Sequence, residues 1–207
     1  MIKQSKDVNI PFHRFSGVYG KELSNIDKEN LLTQNYITKK YLTTRTQGEL
    51  GCNISHLQVF DQCKKDNKHY IIFEDDAILN KDFNHSLQLF LKHLPNDWDM
   101  FYLYINNFYL NDDQVKEQKQ RKKINEHISI PISPIGMVAY GINNHKINKI
   151  IKLVKPLHDK AIDNMFSYLI DNHKIKVYST SKNIISHPKE YYSNTKERMM
   201  KRNIIKM

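Results

Sequence analysis

Residues Tyr70-Ile71-Ile72-Phe73 run directly into Glu74-Asp75-Asp76. A chain that sets four apolar residues against three carboxylates has few ways to fold at that point. An uninterrupted apolar run reads as a strand buried on both faces, as in a parallel sheet covered by helices. The acids then leave the sheet at the carboxyl end of the strand, where open α/β sheets bind ligands. Three adjacent carboxylates repel one another, and a divalent cation relieves that repulsion. Hard oxygen donors suit Mg²⁺ or Mn²⁺, which complete their shells with water and substrate phosphate. The acids alone leave two readings open: a metal–diphosphate site, or a solvated acidic strand end.

The rest of the chain alternates helix and strand patterns, which argues one α/β layer sandwich without repeats or a second domain. Ile10 to Val18 reads as a short strand, closed by a turn at Gly17-Val18-Tyr19-Gly20. Residues 21–46 are polar and predict a short helix and a loop. Residues 47–65 carry Leu50, Ile54, Leu57 and Phe60 at helical spacing. Gly48 and Gly51 near the start of that helix would let a ligand approach its backbone. Helical spacing recurs over 81–94, and from Asn144 to Val154 with Asn143 or Asn144 as cap. A further helix, capped by Asp159, carries Ile162, Met165, Phe166, Leu169 and Ile170. Met100 to Ile105, Met137 to Ile142 and Ile175 to Tyr178 read as strands. Residues 107–130 are charged and read as a solvated loop of the kind that carries specificity.

Three more residues are candidates for a site built on the acids. His187 follows the last strand; a late histidine can complete a metal site, although a lone histidine is more often a surface or core residue. Arg45 between Thr44 and Thr46 suits phosphate, sugar or plain solvent. Asp163 stands at the edge of an apolar helical face, where the helix dipole favours an acid and where it can equally meet or deprotonate an acceptor hydroxyl.

Upstream of the acidic strand stands Gly48-Glu49-Leu50-Gly51-Cys52-Asn53-Ile54-Ser55-His56. Downstream stand Trp98-Asp99-Met100-Phe101-Tyr102-Leu103, then Ala139-Tyr140-Gly141-Ile142, then Ala161-Ile162-Asp163. In this order and spacing the chain resembles glycosyltransferase family 25 over about residues 10 to 190, and the Gly-Glu-x-Gly-Cys…Ser-His and Glu-Asp-Asp pair is the specific part. The family holds bacterial lipooligosaccharide sugar transferases and collagen hydroxylysine galactosyltransferases. The resemblance implies a single GT-A-like (Rossmann-like) α/β domain that moves galactose or glucose from a UDP-sugar to a glycan or hydroxylysine-type hydroxyl with inversion. It implies that Glu74-Asp75-Asp76 plays the part of a D-x-D motif served by Mn²⁺ or Mg²⁺. Asp76, Glu74 and His187 would then be the metal ligands, Glu74 and Asp75 the sugar-nucleotide side, and Asp163 the base, with Asp75 beside it in the chemistry. Glu49 would serve the donor or act as a helix-cap partner, and Ser55 and His56 would bond the donor or brace the acidic strand, with support the role expected of His56. Family members begin with an Ile-Asn-Leu type strand that supports the nucleotide base. The sequence is expected to lack it, and the alternative is an incomplete, inactive fold that acts as a binding module or as half of a split enzyme.

The chain has 207 residues, 40% hydrophobic and 26% charged, enough for one domain with a real core. A net charge of +10 favours acidic partners, from nucleotide-sugar phosphates and anionic glycans to a membrane surface or nucleic acid. The basic residues are spread along the chain, and no Lys follows the acids at nuclease-like spacing, so nucleic acid is not expected. Residues 1–9 predict a disordered start, and 191–207 a basic tail able to rest on an anionic membrane. No signal peptide and no apolar run of about 18 residues stands in the sequence, so a cytoplasmic protein, at most peripheral to a membrane, is expected. Cys52 and Cys63 are 11 positions apart, about 16 Å on one helix, which is beyond disulfide reach. Both read as reduced thiols, with Cys52 a small buried hydrophobe.

Overall fold

The computed structural model describes Gln4, Val8, residues 10–106 and residues 122–187. The basic C-terminal tail, most of residues 1–9 and most of the 107–130 loop lie outside the described residues. A 3-10 turn (Gly20–Glu22) is followed by helices α1 (Asn25–Thr33), α2 (Lys39–Thr44) and α3 (Gln47–Asp66). Strands β1 (Tyr70–Phe73) and β2 (Ile78–Leu79) flank the acids. Then come α4 (Phe83–His93), β3 (Met100–Tyr102), β4 (Lys122–Lys123), β5 (Ile128–Ile130) and β6 (Ala139–Ile142). A second 3-10 turn (Asn144–Lys146), α5 (Ile147–Val154), α6 (Ile162–Asp171), β7 (Val177–Thr180) and β8 (Ile185–Ser186) complete the order.

Local chemistry explains where the helices start and stop. Ser24 with Asp27, and Thr46 with Glu49, close reciprocal capping boxes on α1 and α3. Asn67 ends α3 in the left-handed region at φ 53°, which an asparagine tolerates. Asn143 accepts from the amide of His145, the cap expected for the segment that leads into α5. The expected cap Asp159 is not one. Ala161 precedes α6, and the amide of Ile162 donates instead to Asn53 Oδ1 at 3.0 Å.

Among the described residues, six strands form one sheet in the order β1-β6-β3-β7-β5-β4. β3 and β7 pair in parallel, while β6 pairs antiparallel with both β1 and β3. β1, β3 and β7 therefore share one direction with β6 inverted between the first two. The sheet is mixed rather than the parallel sheet expected, and among the described residues β1 is an edge strand, half-buried, with Ile71 exposed. Its apolar run has another cause. Tyr70 and Ile72 pack against one core and Phe73 against the other, so alternate residues face different layers.

The first core lies under α3, α5 and α6 and takes Met100, Tyr102, Tyr140 and Ile142 from the sheet. The second lies under α4 and takes Phe101, Leu103 and Ala139. Buried Asp99 fastens the start of β3, accepting from Lys149 Nζ at 2.6 Å and the Lys176 amide at 2.8 Å. Residues 10–18 form no strand. They lie as an irregular segment along α3, where the Val18 amide donates to Ser55 Oγ at 2.8 Å. Gly51 serves that contact and not a ligand: a Cβ there would collide with Val18 and Gly20 backbone. Among the described residues no helix is long and apolar enough to cross a membrane.

Phe101 and Gly141 are register partners across β3 and β6, and the ring covers the glycine. A Cβ at position 141 would run into that ring. Gly141→Ala should destabilise the domain by about 1–3 kcal/mol through overpacking, seen as a lower urea midpoint at unchanged slope. An unchanged midpoint would mean that the Phe101 ring swings aside without cost.

Candidate active site

The three acids turn the chain from β1 into β2. Ala77 donates to the Glu74 carbonyl at 3.2 Å, which puts Asp75 and Asp76 at the two central positions of a β-turn. The turn sits at the sheet edge where β1, β3 and β7 all end. Glu74 is fixed there by its amide, which donates to the Val138 carbonyl at 2.8 Å. β2 pairs antiparallel with β8, Ile78 opposite Ser186. That pairing delivers His187, whose Nε2 lies 2.8 Å from Asp76 Oδ2. Tyr104 stacks on the His187 ring with centroids 6.2 Å apart. Asn183 ties the same edge together, accepting from the Ile105 amide at 3.1 Å and donating to its carbonyl at 3.0 Å.

The second oxygen of Asp76, Oδ1, is buried and has no hydrogen-bond partner among the described residues. Burial raises the pKa of Asp76, the Glu74 and Asp75 charges add to the rise, and His187 opposes it. Asp75 is exposed at the tip of the turn. The structure thus brings Asp76 and His187 into contact and leaves one carboxylate oxygen over.

Glu74 faces the other way, towards α3. Its Oε1 lies 3.2 Å from His56 Nε2, and His56 Nδ1 lies 2.8 Å from the Tyr140 hydroxyl on β6. Burial by itself would lower the His56 pKa. Tyr140, the Cys52 thiol and Glu74 outweigh it, so the imidazole is raised well above its usual value. Tyr140 is pushed up to about 12, by burial first, and remains a phenol at neutral pH. Cys52 stands one turn before His56 and is exposed, which corrects the expected buried hydrophobe. Its neighbour in type, Cys63, is buried and donates to the Lys68 carbonyl at 3.0 Å.

The remaining candidates gather where α2, α3 and α6 meet. Arg45 Nη1 lies 3.5 Å from Glu49 Oε1, its Nη2 donates to the Asp159 carbonyl, and its Nε is buried with no partner among the described residues. Glu49 caps α3 as well as pairing with Arg45. Ser55 gives its hydroxyl to the Gly51 carbonyl and accepts from Val18, which makes it an anchor for residues 10–18. Asn53 donates to the Tyr41 hydroxyl at 2.5 Å while it holds Ile162. Asp163, next along, is half-buried and accepts from the Asn164 amide at 2.8 Å. Its charge helps raise the pKa of Tyr41 and of Tyr102, burial being the larger cause in both.

Tyr102 was not among the candidates expected, nor were Tyr140, Tyr41 and Asn53. Tyr102 and Tyr140 are opposed in register, so both point to the same sheet face. The Tyr102 hydroxyl is fully buried without a partner among the described residues, and it feels both Asp163 and Tyr140. A polar seam therefore runs through the first core from Glu74 by way of His56, Tyr140 and Tyr102 towards Asp163. Asn53 and Tyr140 stand in the motifs that carry the resemblance, but a strand tyrosine and a helix asparagine read as ordinary core and surface.

The family profile described as "Glycosyltransferase family 25 (LPS biosynthesis protein)" matches residues 1–166. Over 181 residues the chain is 23% identical to procollagen galactosyltransferase 1-A of Xenopus laevis, an overlap of 84% of this chain and 29% of that protein. Over 153 residues it is 27% identical to the lipooligosaccharide biosynthesis protein lic2B of Haemophilus influenzae, an overlap of 72% of this chain and 55% of that protein. The chain spans between 29% and 55% of the length of these relatives. The matched stretch includes the capped start of α3, the acid turn and Asp163, while His187 lies beyond it. The chain belongs to glycosyltransferase family 25.

Proposed function

We propose that this domain transfers galactose or glucose from a UDP-sugar to a hydroxyl of a glycan or protein, with inversion, in a GT-A-like fold that uses Mn²⁺ or Mg²⁺. The observation that carries the reading is the spare oxygen of Asp76. A buried carboxylate oxygen without a partner needs a reason, and a cation ligated at Asp76 supplies one. Carboxylate and water ligands suit Mn²⁺ or Mg²⁺, and Asp76, His187 and the exposed Asp75 would hold it, with Glu74 adjacent. Bound there, the cation would neutralise the charge that develops on the leaving nucleoside diphosphate. His187 orients Asp76 through its 2.8 Å contact. Asp75 faces the sugar-nucleotide side, whereas Glu74, expected there and on the cation, turns to His56 on α3. Arg45 offers a cationic group with an unengaged Nε, suited to a diphosphate. Asp163 takes the proton of the acceptor hydroxyl, since inversion requires a base for a single in-line displacement. Glu49, Ser55 and His56 hold the helix that backs the donor. The names of the relatives support a sugar-transfer chemistry on glycan or collagen-type hydroxyls. The two free thiols support a reducing, cytoplasmic setting.

Asp76→Asn should lower turnover at least ~100-fold, the scale of one preorganised electrostatic contact. Its effect on stability runs the opposite way. The pKa of Asp76 is raised in the folded chain, so the anion is less favourable folded than unfolded. That penalty is present above the folded pKa and fades as the pH falls through it. The metal-free Asp76→Asn protein should therefore melt no lower than wild type at pH 7, while Mn²⁺ affinity of the wild type weakens on acidification from a higher pH than for an ordinary carboxylate. Near-normal turnover of Asp76→Asn would place the metal elsewhere, and full activity in excess chelator would rule out metal dependence.

Asp163→Asn should abolish transfer yet leave donor binding intact, measured by calorimetry with UDP-sugar and Mn²⁺. Lost donor binding would make Asp163 a donor-site residue, and unchanged transfer would reduce it to a helix-terminal acid.

A further inference from the structure

Three side chains apart from the Asp76–His187 pair converge where α3 crosses the end of β1. A ligand atom from each of Cys52, His56 and Glu74 lies within 4.8 Å of the other two. We propose that these three residues form a separate binding site for a thiophilic divalent cation of the Zn²⁺ type. Cys52 and His56 are four residues apart on one helix, so they stand on one face a single turn apart, the spacing at which helical histidine pairs hold zinc. Glu74 approaches from a different element and closes the third side. A thiolate, an imidazole and a carboxylate are the donor types that Zn²⁺ accepts in sites with three protein ligands and an open fourth position. The 3.2 Å between His56 Nε2 and Glu74 Oε1 is close to one edge of a tetrahedron with ligands about 2.0–2.2 Å from its centre.

The outer ligand shell is also in place. A metal-bound imidazole usually gives its other ring nitrogen to a fixed partner, and His56 Nδ1 has the Tyr140 hydroxyl at 2.8 Å. That contact leaves Nε2 to face the cation. His56 and Tyr140 are buried, and Cys52 is exposed, so the site has a rigid back and an open mouth. Binding displaces the Cys52 proton to solvent. A cation there would bolt α3 to β1, an edge strand that has a single ladder partner among the described residues.

Titration of the reduced protein with Co²⁺, a spectroscopic substitute for Zn²⁺, tests the proposal without reference to sugar transfer. A thiolate-to-cobalt charge-transfer band and tetrahedral ligand-field bands should appear at one equivalent, and Zn²⁺ should remove them. Cys52→Ser should lose the charge-transfer band while it keeps the wild-type melting curve, because Cys52 is exposed. Asp76→Asn should retain the band in full. Tyr140→Phe should keep the band but weaken Co²⁺ binding ~10–100-fold, the usual effect of losing an outer-shell partner. Absence of a thiolate band in the wild type would overturn the proposal, as would a band that survives in Cys52→Ser.

Discussion

A buried imidazole is stable only if both of its nitrogens are engaged, and His56 meets that demand with one contact to β6 and one to Glu74, the residue that follows β1. The two contacts fix α3 in register over the sheet. Sliding the helix by one residue would break both and leave polar atoms stranded in the core. Much else follows from that registration. Asn53, a turn away, then meets Tyr41 and the first amide of α6. Glu49, one turn further back, closes the helix cap and meets Arg45. Ser55 and Gly51 receive the irregular segment before the first 3-10 turn. The placement of α2, α6 and the N-terminal segment is thus keyed to one side chain.

The two halves of the candidate site owe their positions to different devices. The acid turn is carried on an exposed edge of the sheet, with its carboxylates half in water. Asp163 rides on a helix that belongs to the first core. Between them lie Tyr140 and Tyr102, buried phenols whose protons stay in place at neutral pH. Neutral hydroxyls inside a low-dielectric core transmit the field of the charges at either end more fully than water would. Asp163 acts on Tyr102 and Glu74 on Tyr140, one at each end of the seam.

Local signals made parts of this legible in the amino-acid order. The α3 helix announced itself through its stripe of Leu50, Ile54 and Leu57 and through Thr46 and Glu49 at capping-box spacing. The same stripe leaves Cys52 on the far side, so its exposure was readable, although cysteine's usual burial pointed the other way. The apolar run at 70–73 correctly marked a strand, but strand direction depends on the partner, and nothing in that run reveals that β6 enters antiparallel beside it. Asp159 looked like a cap, and a tertiary partner, Asn53, displaced it. The Asp76–His187 contact rested on chemical plausibility alone, since no periodicity links residues so far apart. The tyrosine seam went unseen because its members are core residues by every local measure.

The β2–β8 pair, four residues in all, has a consequence for how the molecule assembles. It joins positions just over half the chain apart, as the separation of 111 between Asp76 and His187 shows. Contacts of that reach close a large loop and form late in folding, after local helices and nearer strands. A chain emerging from the ribosome can build α3 and β1 early, yet it holds an isolated acid turn until residue 187 has cleared the exit and β8 has docked. The Asp76–His187 pair is therefore present only once both segments have been made, and a nascent chain that stops short of residue 187 displays its acids without the histidine.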